Sequence, residues 1–262
     1  MTTTAIITLS EMGARVAQRL AAAIADSHIY LHRDVAGFPD APRFDRTADL
    51  ARDLWPACRG LVFIAPTGLV VRAIAPCIAD KHTDPAVVVV DVGGRWAVSL
   101  LSGHEGGANE LAMTVANTLA AEPVITTTTD AAKTIIAGIG CRRGTPAAEI
   151  VAAVQQTLAT AGVTLDRVRL LATADIKHDE AGLLEAAAAL GVPLRLISSD
   201  EIRTCIRTDF ARSDFVQDKV DLPAVAEPAA LLAGRRTRLL LPKQKFPNVT
   251  VALAAEDCTS SA

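Results

Sequence analysis

Short unbroken apolar runs alternate along this chain with stretches in which apolar positions recur every three to four residues. Ala5–Leu9, Leu61–Ala65 and Ala86–Asp91 are of the first kind. Brief runs rich in Val and Ile, bounded by turn residues, predict strands covered on both faces. Glu11–Ala25, Asp45–Trp55, Leu69–Ala79 and Ala108–Ala120 carry the helical period. His28–Leu31, Trp96–Leu100 and Val124–Thr127 read as further strands. The alternation restarts near Lys133. Thr134–Ile139, Val168–Ala172 and Leu194–Ile197 are strands, and Arg238–Leu241 with Val249–Ala254 form a final pair. Thr145 is placed to cap a helix that has Pro146 at its first position and runs to about Thr160. Glu180–Leu190, Ser199–Cys205 and Pro223–Ala233 are helical, and residues 207–222 lack any period and read as a mobile loop. The pattern predicts the α/β class, as two α/β domains, each a mostly parallel sheet with flanking helices. The N-terminal domain is expected over 1–131 and the C-terminal one over 132–262, joined at Thr129–Lys133.

Composition narrows the function. Of 262 residues, 50% are apolar, enough for such cores, and only 3% are aromatic, too few for base-stacking platforms. A net charge of −3 argues against nucleic acid as the main partner. The N-terminus lacks a basic, then apolar, leader, and no apolar run reaches the ~18 residues of a membrane span, so no membrane partner is expected. Cysteines 58, 77, 141, 205 and 258 make no paired motif. That points to a cytoplasmic protein without disulfides or a protein-bound metal.

Five groups of residues could carry chemistry. Ser102-Gly103-His104-Glu105-Gly106-Gly107 sets two titratable side chains among glycines just before a helix that contains Asn109. Free N–H groups at that helix start would face an anion, and His104 or Glu105 could move a proton. Ser102 is a weaker candidate as nucleophile, and a plain polar turn is the bland alternative. Thr67, Gly68 and Arg72 follow a strand and suit a carboxylate or phosphate cradle, or an ordinary strand-to-helix turn. Thr126–Asp130, with Thr128 and Asp130, could bond a polar substrate at a strand end. Gly138–Gly144 includes Gly140, Cys141, Arg142 and Arg143; no acid occurs between Asp130 and Glu149, so a local cationic anion site is expected, with packing glycines as the alternative. Between Pro228 and Ala255 stand five cations and no acid, which with Lys177 could clamp a polycarboxylate or be only a solvated edge.

Together these stretches resemble the cobalamin biosynthesis protein G (CbiG) family, the cobalt-precorrin-5A hydrolases of the anaerobic pathway. The resemblance rests on Pro66–Pro76, Asp91–Gly94, Leu101–Ala112, Thr126–Asp130, Gly138–Gly144, Ala226–Leu231 and Lys243–Ala254. It covers nearly the whole chain. Longer members carry a middle segment between the threonine run and the Gly-Ile-Gly-Cys motif, and only a few residues stand there here. The resemblance implies a hydrolase: water opens the δ-lactone of a ring-contracted cobalt macrocycle and acetaldehyde leaves. Cobalt would arrive with the corrinoid substrate, so no cofactor and no metal site of the protein's own is expected. Glu105 or His104 would activate water, and Arg142 with helix N–H groups would stabilise the oxyanion. Thr67, Gly68, Arg72, Ser102, Gly103, Gly106, Gly107, Asn109, Thr128, Asp130, Gly140, Cys141, Arg143, Lys177, Glu227 and Lys243 would hold the acidic arms in a groove between the domains. Neighbouring pathway enzymes and a second copy of the chain remain open as partners. A non-catalytic corrinoid carrier and a nucleotide- or sugar-phosphate-binding enzyme are the rival readings.

Overall fold

The computed structural model describes residues 3–205 and 224–258. The loop expected over 207–222 therefore lies outside the described residues. The chain forms two compact units, Met1–Thr127 and Thr128–Ala262.

The first unit is a seven-stranded sheet in the order β3-β2-β1-β4-β5-β6-β7. Its strands are β1 (Thr4–Thr8), β2 (Ser27–His32), β3 (Arg43–Phe44), β4 (Gly60–Ile64), β5 (Ala86–Val90), β6 (Trp96–Leu101) and β7 (Glu122–Val124). The helices are α1 (Glu11–Ala23), α2 (Thr47–Leu54), α3 (Thr67–Ile74) and α4 (Ala108–Leu119). β4 and β5 are buried at every position, as their unbroken apolar runs require. One face of the sheet packs Ile6, Val62, Val88 and Val90 against Leu20 of α1 and Val115 of α4. The other packs Ile7, Phe63 and Val89 against Leu54 of α2 and Val70 of α3. All pairings are parallel except β5 with β6. A two-glycine turn after Asp91 is too short to carry a crossover, so β6 must return beside β5 in the reverse sense. Asp91 closes that turn by accepting N–H bonds from Gly93, Arg95 and Trp96. Burial acts to raise its pKa, but the Trp96 and Arg95 donors prevail and hold the carboxyl below its usual range.

The second unit opens with the single turn α5 (Thr128–Ala131). Its sheet has the order β10-β9-β8-β12-β11. The strands are β8 (Ile135–Cys141), β9 (Val168–Ala174), β10 (Leu194–Ile197), β11 (Thr237–Lys245) and β12 (Val249–Glu256). β8, β9 and β10 are mutually parallel, and β12 pairs antiparallel with both β8 and β11. α6 (Ala147–Thr160) and α7 (Ala181–Leu190) cover one face through Ile150, Val154, Leu158, Leu183 and Leu190. α8 (Ser199–Thr204) follows β10, and the short helix α9 (Ala226–Leu232) lies against β8, β9 and β12.

Three local expectations change. The threonine run is not a strand: β7 ends at Val124, and Thr128 begins α5. Pro146 rather than Thr145 is the cap of α6, because the Thr145 hydroxyl donates instead to the Arg142 carbonyl at 2.7 Å. Thr67, which the sequence also offers as a cap for the helix that follows, makes none, since α3 already includes it and Pro66 stands at the cap position.

Candidate functional site

The reversal of β6 decides where the glycine-rich turn lies. Leu101 pairs with Val87 at the start of β5, so residues 102–107 leave the sheet at the amino ends of β1, β4 and β5. The Pro66-Thr67-Gly68 turn follows β4 at the opposite, carboxyl edge. The five residues of β5 set the two edges roughly 16 Å apart. Thr67, Gly68 and Arg72 thus lie at the opposite edge of the sheet from His104 and Glu105, contrary to the expectation that both turns face one groove. Arg72 turns back on its own helix and donates to the Gly68 carbonyl at 3.0 Å. Beside Thr67 lies a cavity of about 320 Å³ whose walls include Ala65, Val89 and Val98 and whose rim carries the exposed Trp96.

At the other edge, the turn is tied down by its own backbone. The Ser102 carbonyl accepts N–H bonds from Gly106 and Ala108, both at 3.1 Å, and the Gly103 carbonyl accepts from Asn109 at 3.0 Å. The first N–H groups of α4 are therefore engaged, which corrects the expectation that they stand free for an anion. Gly107 holds φ of 85°, a left-handed cap that L side chains rarely adopt. Ser102 has φ of 58°, and its hydroxyl is buried without a hydrogen-bond partner. It is buried inside the turn. A buried unpartnered hydroxyl on a strained backbone is a signal that sequence alone does not carry.

Asn109 is the lock of this turn. Its Oδ1 accepts from the Ser99 hydroxyl at 2.8 Å, and its Nδ2 donates to Thr127 Oγ1 at 3.0 Å. The segment that follows β7 is thereby joined to the turn. Asn109→Ala removes both of these hydrogen bonds, and urea unfolding is expected to show a loss of about 1–3 kcal/mol; an unchanged midpoint would show that the three groups are not coupled.

His104 and Glu105 both project to the surface. Lys81 Nζ donates to Glu105 Oε1 at 2.7 Å. That hydrogen bond holds the Glu105 carboxyl below its usual range and raises Lys81. The pair is intact at neutral pH and breaks only as acid protonates the carboxylate below that range. His104 makes no hydrogen bond with any described residue.

In the second unit the parallel strands β8, β9 and β10 deliver their following loops to one edge, the usual ligand side of an open α/β sheet. There the segment 141–145 meets residues 175–180, Ser199 and the 246–248 turn. The Arg143 guanidinium donates both ways to Asp179, at 3.2 and 3.3 Å, and holds that carboxyl below its usual range. Glu180, 4% exposed, accepts from the Gly144 N–H at 2.6 Å and faces Lys177 Nζ at 3.5 Å. Arg142 bonds Asn248 twice, through its N–H to the Asn248 carbonyl at 2.9 Å and through Nη1 to Oδ1 at 3.4 Å. Asn248 also donates to Glu149 at 3.0 Å. Ser199 donates to Asp175. Burial pushes the half-buried Cys141 thiol up, so it stays protonated at neutral pH.

The cationic patch read from the linear sequence is therefore compensated. No acid stands near Arg142 or Arg143 along 131–148, but the fold supplies Asp179 to Arg143 and Glu180 to Gly144 from a loop 36 residues on. Of these cations, Arg142 is exposed and has no acidic partner among the described residues. Gly140 is a packing position: a Cβ there would meet the Thr250 hydroxyl at 2.7 Å and Val225. Glu227, 2% exposed, binds the Lys243 N–H at 3.1 Å and its ammonium at 3.7 Å. Glu256 binds Arg169 at 2.8 Å and the Arg235 N–H at 2.6 Å. The tail cations thus divide between the two edges of the sheet and do not form one clamp. Asp130 pairs with Lys133 at 3.4 Å beside the exposed Thr128. No group of three or more His, Cys, Asp or Glu among the described residues is arranged to hold a metal. No described helix is long and apolar enough to cross a membrane.

Comparison with known proteins assigns both units. The family model described as Cobalamin synthesis G N-terminal matches residues 49–130, and that for the Cobalamin synthesis G C-terminus matches residues 135–254. The chain belongs to the cobalamin synthesis G family. A cobalt-precorrin-5A hydrolase from Priestia megaterium is 28% identical over 353 residues, covering 95% of this chain and 94% of that protein. That alignment is longer than the 262 residues here, so the relative carries residues this G-family chain does not. A cobalt-precorrin-5A hydrolase from Salmonella typhimurium is 26% identical, covering 79% of this chain and 84% of its own. The solved structure of a cobalamin biosynthesis protein G homologue from Sulfolobus solfataricus is 19% identical with a TM-score of 0.40, covering 97% of both chains.

Proposed function

We propose that this chain is a cobalt-precorrin-5A hydrolase. Water opens the δ-lactone of the cobalt macrocycle, and acetaldehyde is released to leave cobalt-precorrin-5B. The observation that carries this reading is the family match of both units, in order, along one chain. The substrate brings its own cobalt and conjugated ring, and the protein contributes side chains alone. Its place is the cytoplasm, in keeping with five free thiols.

In the N-terminal unit, His104 is the base that activates water. Imidazole takes up and gives back protons near neutrality. Glu105 is the poorer base, because Lys81 stabilises its charged form. In the C-terminal unit, Arg142 presents an exposed guanidinium to an anionic oxygen of the substrate, and its backbone is fixed by Asn248.

Purified chain mixed with cobalt-precorrin-5A should release acetaldehyde. Arg142→Ala is expected to lower kcat/KM roughly tenfold to a hundredfold, the worth of a hydrogen bond to a charged group. Corrinoid binding without acetaldehyde from the unaltered chain would favour the carrier reading instead.

A further inference from the structure

Glu180 stands at the cap of α7, where a carboxylate would ordinarily bond the first N–H groups of its own helix. It makes no such bond. Its carboxylate crosses instead to the Gly144 N–H, at 2.6 Å, with Lys177 Nζ on its second oxygen at 3.5 Å. The residue is almost fully buried, and a buried carboxylate is retained only where donors meet it. Two neighbours repeat the contact. Asp179 grips Arg143, and Gly182 lies against the Thr145 carbonyl so closely that a Cβ there would overlap the oxygen. Asp179, Glu180 and Gly182 thus meet Arg143, Gly144 and Thr145 in turn. Gly144 holds φ of 76°, the left-handed conformation that reverses the chain after the arginines. The Thr145 hydroxyl then closes the turn onto the Arg142 carbonyl.

We infer that Glu180 is the positioning residue of the arginine turn: by holding the Gly144 N–H it fixes the backbone from which Arg142 reaches the substrate. This rests on the hydrolase reading above and adds to it a residue that does not itself touch the substrate. What matters is the reach of the side chain to Gly144, not its charge. Gln has the same length and an amide oxygen that accepts the same N–H, whereas Asp keeps the charge and is one methylene short.

The test compares Glu180→Gln, Glu180→Asp and Glu180→Ala in acetaldehyde release from cobalt-precorrin-5A, using chains whose circular dichroism and melting match the unaltered protein. Gln is expected to stay within about threefold of the unaltered kcat/KM. Asp and Ala should lose tenfold to a hundredfold, the scale of effect from misplacing a substrate-contacting group by about 1 Å. If Ala does not fold, the contrast between Gln and Asp decides alone. The second arm places the Asp substitution in an Arg142→Ala background. There it should cost almost nothing further, because the two act through one group. Full activity in Asp, a loss in Gln equal to that in Asp, or an undiminished effect of Asp without Arg142 would each overturn the inference. A chain in which Arg142→Ala itself changes nothing would instead sink the assigned role of Arg142, a distinguishable result.

Discussion

Acetaldehyde release by a His104→Ala chain is expected to fall roughly 10²- to 10⁴-fold, the range that a general base contributes. Glu105→Gln is expected to retain most of its activity. The asymmetry follows from geometry. The Glu105 carboxylate already has an ammonium at 2.7 Å, which stabilises its ionised form and makes it a weaker proton acceptor. The imidazole beside it has no such partner. Both side chains are exposed, so neither substitution should disturb packing, and matching melting curves would confirm that a rate change reflects chemistry. Turnover unaffected by His104→Ala but abolished by Glu105→Gln would reverse the assignment. Turnover surviving both would place the base elsewhere.

Gly138→Ala should produce the largest loss of stability, about 3 kcal/mol or more, the upper end of overpacking costs. Gly138 lies mid-strand in β8, where α9 closes on the sheet. An added Cβ would fall on the Ala226 carbonyl oxygen and within 2.8 Å of both the Cβ and the N of Ala230. Backbone cannot yield as a long side chain does, so α9 must lift away and take Ala229, Ala230 and Leu231 out of the core. Urea unfolding should show the loss in the C-terminal unit. An unchanged midpoint would mean that α9 is not seated as described.

How much of this was legible beforehand depends on which residues are asked about. The strand cores Leu61–Ala65 and Ala86–Asp91 and the helices α1, α4 and α6 follow from apolar period, because each buries a defined face. The direction of a strand does not follow from period. Nothing in Trp96–Leu101 says that β6 runs backward, and so the Thr67 and His104 turns, both reading as loops after strands, were expected together and lie on opposite edges. Partners remote in sequence were equally hidden. Arg142 and Arg143 read as a bare cationic patch because Asp179 and Glu180 arrive from another loop. The glycines of the Gly-Ile-Gly motif were visible, but close packing accounts for them better than an anion does: α9 backbone crowds Gly138, and the Thr250 hydroxyl crowds Gly140. The signal that could have located Glu180 was weak: a glutamate opening an alanine-rich helix reads as part of its first turn.

The late strand β12 sits in the middle of its sheet, between β8 and β11. During synthesis, β8, β9 and β10 leave the ribosome more than fifty residues ahead of it, with one side of β8 bare. The half of the molecule that carries the arginine turn can complete its hydrogen-bonded ladder only after translation has passed Glu256, so for most of its birth it is the half that needs protection from sticky neighbours.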